Sequence, residues 1–87
     1  MTVMDLFEET ADDESLIKNS VHPGGLRSVA WTGTGREGRT GWWWAVVFDG
    51  DSEVMATGWA PLSDAQCNAD IAAAIVRVLY QPQAVAS

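Results

Sequence analysis

Residues equipped for chemistry are few in this chain: it holds one histidine, His22, and one cysteine, Cys67. Nucleophilic catalysis needs a nucleophile, a base and an orienting group within reach of one another. His22 stands in the loop His22-Pro23-Gly24-Gly25 and reads as an ordinary surface residue. Cys67 falls on the apolar flank of an expected helix, where a thiol is buried and inert. The run Gly33-Thr34-Gly35-Arg36-Glu37-Gly38 has the composition of a phosphate-cradling loop. It matches neither the dinucleotide nor the P-loop spacing and no Lys-Ser/Thr pair follows, so it reads as a hairpin loop. Asp49, Asp51 and Glu53 stand in five consecutive residues, whereas a calcium loop spreads its ligands over about twelve. That cluster reads as a solvated turn. The residue types therefore predict no catalytic group, no metal site and no cofactor, and a protein that acts by contact and not as an enzyme.

Charge narrows the partners. Five Lys and Arg stand against twelve Asp and Glu, a net charge of −7, and Lys18 is the one lysine. Grip on a phosphate backbone comes from clustered cations, so direct nucleic-acid binding is not expected. Arg36 and Arg39 could touch an anionic partner, but two charges do not hold nucleic acid. Six of the twelve carboxylates, Asp5, Glu8, Glu9, Asp12, Asp13 and Glu14, crowd the N-terminal segment. They could serve solubility alone. They could also engage a basic protein partner by imitating nucleic-acid charge, as small phage anti-defence inhibitors do. The start of the sequence lacks a basic n-region and a long apolar run, and no stretch approaches the roughly 18 apolar residues of a membrane span. The expected setting is the cytoplasm, with no membrane partner.

The elements that would position these residues follow from periodicity. Residues 1–24 read as an acidic segment, either mobile or partly ordered with one short helix. Val3, Leu6 and Phe7 there keep i, i+3, i+4 spacing, and Thr10 is a candidate N-cap with Asp13 at capping-box distance. Residues 25–87 read as one small domain. Strands are expected over Leu26–Thr32, Trp42–Phe48 and Glu53–Trp59, with a glycine-studded loop over 33–41 and a turn at Asp49-Gly50. Pro61 ends the third strand, Ser63 caps a helix over Asp64–Tyr80, and Gln81-Pro82 closes it. The predicted fold is α+β: a three-stranded antiparallel sheet in β-β-β-α order with the C-terminal helix packed on it.

Both faces of that sheet read as apolar. Trp42, Trp44, Val46 and Phe48 point one way and Trp43, Ala45 and Val47 the other; Val54 and Ala56 oppose Met55 and Trp59. On the helix, Gln66, Asp70, Arg77 and Gln81 make a narrow polar stripe. Cys67, Ile71, Ala74, Ile75 and Val78 form one apolar flank, and Ala69, Ala72, Val76 and Leu79 the other. One helix covers one sheet face. The second face needs the N-terminal segment, a second copy or another partner. A homodimer through Trp31, Trp42, Trp43, Trp44, Met55 and Trp59 is the first expectation. A monomer lidded by its own N-terminal segment and a small molecule on Trp42, Trp44 and Trp59 are the alternatives.

From Trp42 the chain resembles the YegP-like family of small uncharacterised domains. The likeness rests on the strand Trp42–Phe48, the turn Asp49-Gly50-Asp51, the strand end Val54-Met55-Ala56-Thr57 with Trp59 after it, and Ser63, Ala65, Cys67 and Ile71 at the helix start. The resemblance implies a three-stranded sheet with one helix, paired as tandem repeats or dimers, and it implies no activity. The acidic leader and the long glycine loop depart from the family pattern. The strand order is also similar, more loosely, to that of HicB-type antitoxin domains.

Overall fold

The computed structural model describes residues 1–35 and 38–80. The elements run α1 (Val3–Thr10), β1 (Ile17–His22), β2 (Leu26–Thr34), β3 (Thr40–Phe48), β4 (Ala56–Pro61) and α2 (Asp64–Tyr80). The fold is α+β with an antiparallel sheet and a C-terminal helix, but the sheet has four strands in the order β1-β2-β3-β4, and an N-terminal helix precedes it. Three strands were expected because Ile17–His22 carries little apolar signal. As an edge strand it needs only one neighbour, and β2 supplies that from Ile17↔Trp31 to His22↔Leu26. Pro23, Gly24 and Gly25 make the hairpin between them, with φ of +85° at Gly24 and +75° at Gly25, values that glycine reaches without steric cost.

The segment 1–24 is therefore built into the domain by α1 and β1. Thr10 is not an N-cap. It lies at the C-terminal end of α1, and Thr2 caps the start: its hydroxyl accepts from the Asp5 amide while the Asp5 carboxylate accepts from the Thr2 amide, a capping box. Both ends of α1 are tied to the sheet. The Val3 amide donates to the Ser52 carbonyl and the Val54 amide to the Met1 carbonyl, while Ala11 forms a bridge to Gly33. Val3, Leu6 and Phe7 do pack together, against Trp31 and Ala45 on one face of the sheet.

The other face carries α2, which buries Cys67, Ile71 and Ala74 against Leu26, Ala30, Trp42, Trp44, Val46 and Ala60. The Ser63 hydroxyl accepts from the Gln66 amide at the helix start, as its position suggested. Gln81 and Pro82, expected to end α2, lie outside the described residues, as do Arg36 and Glu37 of the glycine loop. The last strand begins at Ala56, later than Glu53. Residues 52–54 instead pair with Met1–Val3, and the Met55 amide donates to Val46 next to the Val46↔Ala56 pair. That kink sends Val54 to the α1 side and Ala56 to the α2 side, so the two do not share a face. Among the described residues, no helix is long and apolar enough to cross a membrane.

Candidate functional site

Register places the five tryptophans on opposite sides of the sheet. Trp31↔Trp43 and Trp43↔Trp59 are directly paired, so these three form a row across β2, β3 and β4 on the α1 side. Trp42 and Trp44 lie beneath α2. Hence Trp42, Trp44 and Trp59 do not converge on one ligand. Trp31, Trp42 and Trp44 are buried, Trp43 and Trp59 are half-buried, and Met55 is exposed. On the second sheet face the chain's own α1 covers Trp31 and packs against Trp43, so burying Trp31 does not call for a second copy.

Glycines make room for the rings. A Cβ at Gly58 would stand 2.6 Å from the Trp44 ring, and one at Gly41 2.5 Å from the Trp59 ring. Trp31 Nε1 donates to Thr10 Oγ1 at 2.7 Å, and Trp43 Nε1 donates to the Thr34 carbonyl at 3.2 Å. The indole nitrogens of Trp44 and Trp59 are buried with no hydrogen-bond partner among the described residues.

The six N-terminal carboxylates are all exposed. Asp5 is engaged in the capping box, and the Asp12 carboxylate accepts from the Thr34 hydroxyl at 3.2 Å. In the turn after β3, Asp49 pairs with Arg27 at 3.1 Å and Asp51 accepts from the Ser52 and Glu53 amides. Those carboxylates are thus occupied by the local structure. Among the described residues no group of three or more His, Cys, Asp or Glu side chains comes together to hold a metal ion.

Cys67 is fully buried, and burial pushes its thiol above the ordinary value of 9.0; Lys18 opposes the shift, and Asp70 and Asp64 add to it. A raised value in the folded state means that the neutral thiol stabilises the fold below the unfolded pKa. That contribution is lost as pH rises through the folded value.

A feature the sequence did not reveal lies between β1, β2 and α2. The helix packs over β3 and β4, and the β1–β2 half of the same face opens into a cleft of about 650 Å³. Lys18, Ser20 and His22 alternate along β1 and all face it, because a strand sends every second side chain to one side. Ser28 of β2 is buried at 4% exposure and shares a 2.7 Å hydrogen bond with His22 Nε2. His22 is thus half-buried and partnered, not the ordinary surface residue its loop suggested. Lys18 Nζ lies 4.4 Å from the Trp42 ring centroid and 3.9 Å from Asp64 at the head of α2. Asn68 stands at the wall, and Ala30, Ile71, Ala72 and Ile75 make an apolar lining. The readable signal was Lys18-Ser20-His22 at period two together with a lone Ser28 between Leu26 and Ala30.

No carboxylate bonds to the second ring nitrogen of His22 among the described residues, so the His22–Ser28 pair lacks the orienting group of a nucleophilic triad. The arrangement suits binding: hydrogen-bond donors line one wall of the cleft and apolar side chains of α2 the other. No family model, no curated protein and no solved structure matches the chain.

Proposed function

We propose that this protein is a non-catalytic interaction module that self-associates, with the outer side of α2 as its contact surface. One observation carries the reading. Ala65, Ala69, Ala73, Val76 and Tyr80 recur at helical spacing on the side of α2 turned away from the sheet, and all are exposed. A helix covering a single sheet normally presents charged and polar residues there. Here the polar residues Gln66, Asp70 and Arg77 are confined to one side of that apolar strip. Small side chains let two helices approach to about 8 Å.

Charge favours a second copy as the occupant. Arg77 makes no ion pair among the described residues. Two α2 helices packed antiparallel about a two-fold axis near Ala73 set Arg77 of one copy opposite Asp70 of the other, twice over, as an isologous interface requires. The strip is about 22 Å long, at the small end for a specific contact, which corresponds to micromolar dissociation. The resemblance of the chain from Trp42 to YegP-like domains implies pairing as tandem repeats or as dimers.

Sedimentation equilibrium tests this. The 9.4 kDa chain is expected to approach twice its mass at about 100 µM. Val76→Glu combined with Ala69→Glu should return it to monomer with unchanged circular dichroism. A wild-type chain that stays monomeric at millimolar concentration defeats the reading.

A second reading is favoured by the exposure of Asp5, Glu8, Glu9, Asp12, Asp13 and Glu14 on a segment fixed to the sheet. We propose that this acidic segment meets a basic protein groove in the manner of an anti-defence inhibitor. Glu8→Gln with Glu9→Gln and Glu14→Gln leaves Leu6 and Phe7 in place. The triple variant should weaken binding to a polycationic test surface at least tenfold and flatten its salt dependence. Unchanged retention on a cation-exposing column would sink it.

A further inference from the structure

We infer that the cleft between β1, β2 and α2 is a binding site for a small amphipathic carboxylic acid, a ligand with a short apolar body and one carboxylate head. The inference is independent of self-association, since the strip Ala65–Ala69–Ala73–Val76–Tyr80 lies outside the cleft lining.

The volume, about 650 Å³, falls within the range of small-ligand sites. Its polar groups on β1 and the neighbouring Ser28 run along one wall and face the side of α2 that carries Ile71, Ala72 and Ile75. Lys18 brings an ammonium, Ser20 and Ser28 bring hydroxyls, Asn68 an amide and His22 an imidazole. All of these can donate a hydrogen bond, and all but the ammonium can also accept one. The acceptor-only side chain among them is Asp64, which is 76% exposed at the rim and reaches Lys18 only at 3.9 Å. Its carboxylate therefore shows what the Lys18 ammonium accepts as a neighbour, and it is loosely enough held to be displaced. A ligand carboxylate taking its place gains charge-assisted hydrogen bonds from Lys18 and a neighbouring hydroxyl. Lys18 is held in position, since its ammonium rests over the buried Trp42 ring. Away from the Lys18 ammonium the ligand body meets Ile71, Ala72 and Ile75 of α2, whose side chains offer carbon only. A neutral apolar molecule would leave the donors unanswered. A multivalent anion would meet a chain of net charge −7, with Lys18 as the single lysine and no arginine among the described residues lining the cleft.

The test is a nitrogen-15 NMR titration of the full chain with octanoate, octanol and octyl phosphate at neutral pH. Octanoate should give saturable shifts at Lys18, Ser20, His22, Ser28, Asn68 and Ala72, and bind at least about tenfold more tightly than octanol. Lys18→Gln should remove that advantage and leave octanol binding unchanged, while Lys18→Arg should retain most of it. Asp64→Asn should tighten octanoate several-fold by freeing Lys18. Ala72→Leu, a change at an exposed position, fills the cleft without touching any charge and should block both octanoate and octanol. The inference is overturned if octanol and octanoate bind equally, if octyl phosphate binds and octanoate does not, or if the saturable shifts fall on α1 or the outer side of α2.

Discussion

Trp31→Ala should destabilise the domain by about 3–5 kcal/mol, the range for emptying a packed aromatic site. For a domain whose total stability lies within roughly 5–15 kcal/mol, that brings it to the edge of unfolding at room temperature. Trp31 has no exposed surface and lies under α1, with the Phe7 ring edge-on at 5.5 Å. Its indole N–H donates to Thr10 Oγ1, and that hydroxyl donates to the Leu6 carbonyl at 2.8 Å. Alanine would leave a cavity between helix and sheet and remove the partner that holds Thr10. The loss therefore spreads to the docking of α1. Urea unfolding followed at 222 nm reads the effect, and Trp31→Phe should be much milder because a ring still fills the space. A loss below about 1 kcal/mol for Trp31→Ala would mean that α1 does not rest on this side chain.

Gly33→Ala should detach α1 from the sheet while leaving the sheet and α2 folded. A Cβ on Gly33 would stand 2.0 Å from the Thr10 carbonyl oxygen and 3.0 Å from a carbon of the Trp43 ring. The oxygen is backbone, so no rotamer change relieves the contact. Gly33 is fixed opposite Gly41 in the β2–β3 ladder, and on its other side it meets only the Ala11 bridge. The weaker attachment yields, and with it go the Asp12 amide to Thr32 carbonyl bond at 3.4 Å and the cover over Trp31. The expected loss is about 2–3 kcal/mol, typical of overpacking. Its signature is amide exchange that speeds up in α1 by two orders of magnitude or more while β2 and β3 stay protected. Gly50→Ala is the contrast: at φ +86° with no atom within 4 Å of the added carbon, it meets backbone strain alone, on the order of 1 kcal/mol. Should Gly33→Ala leave α1 exchange unaltered, the close approach at Thr10 is not a constraint.

What could be read from the sequence tracks how strongly each segment states its surroundings. Asp64–Tyr80 was legible at its start, where Ser63 caps it, and along its length, where its periodicity is unbroken. The continuous apolar run Trp42–Phe48 correctly signalled a strand covered on both faces, yet it could not say by what. Val3, Leu6 and Phe7 held the answer, but eight residues of helix give too short a pattern to outweigh the six carboxylates within it and just after it. The edge strand Ile17–His22 was missed because its polar residues Lys18, Ser20 and His22 alternate against Ile17, Asn19 and Val21, of which Ile17 and Val21 stay exposed. Hydrophobic patterning detects burial, and this strand has little. The cleft was hidden for the same reason: its residues come from three elements and become neighbours only through the β1–β2 register and the offset of α2 toward β4.

The serial order of the sheet has a consequence for how the chain assembles. Each strand pairs with the one that follows it, so every ladder can zip from a nearby turn with little loop entropy to overcome. The clasp between Thr2 and Glu53 is the opposite case, joining points far apart along the polypeptide. Such a closure gains nothing until the meander it fastens onto exists. Residues 1–11 are thereby the last to find their place, and until they do Trp31 remains open to water.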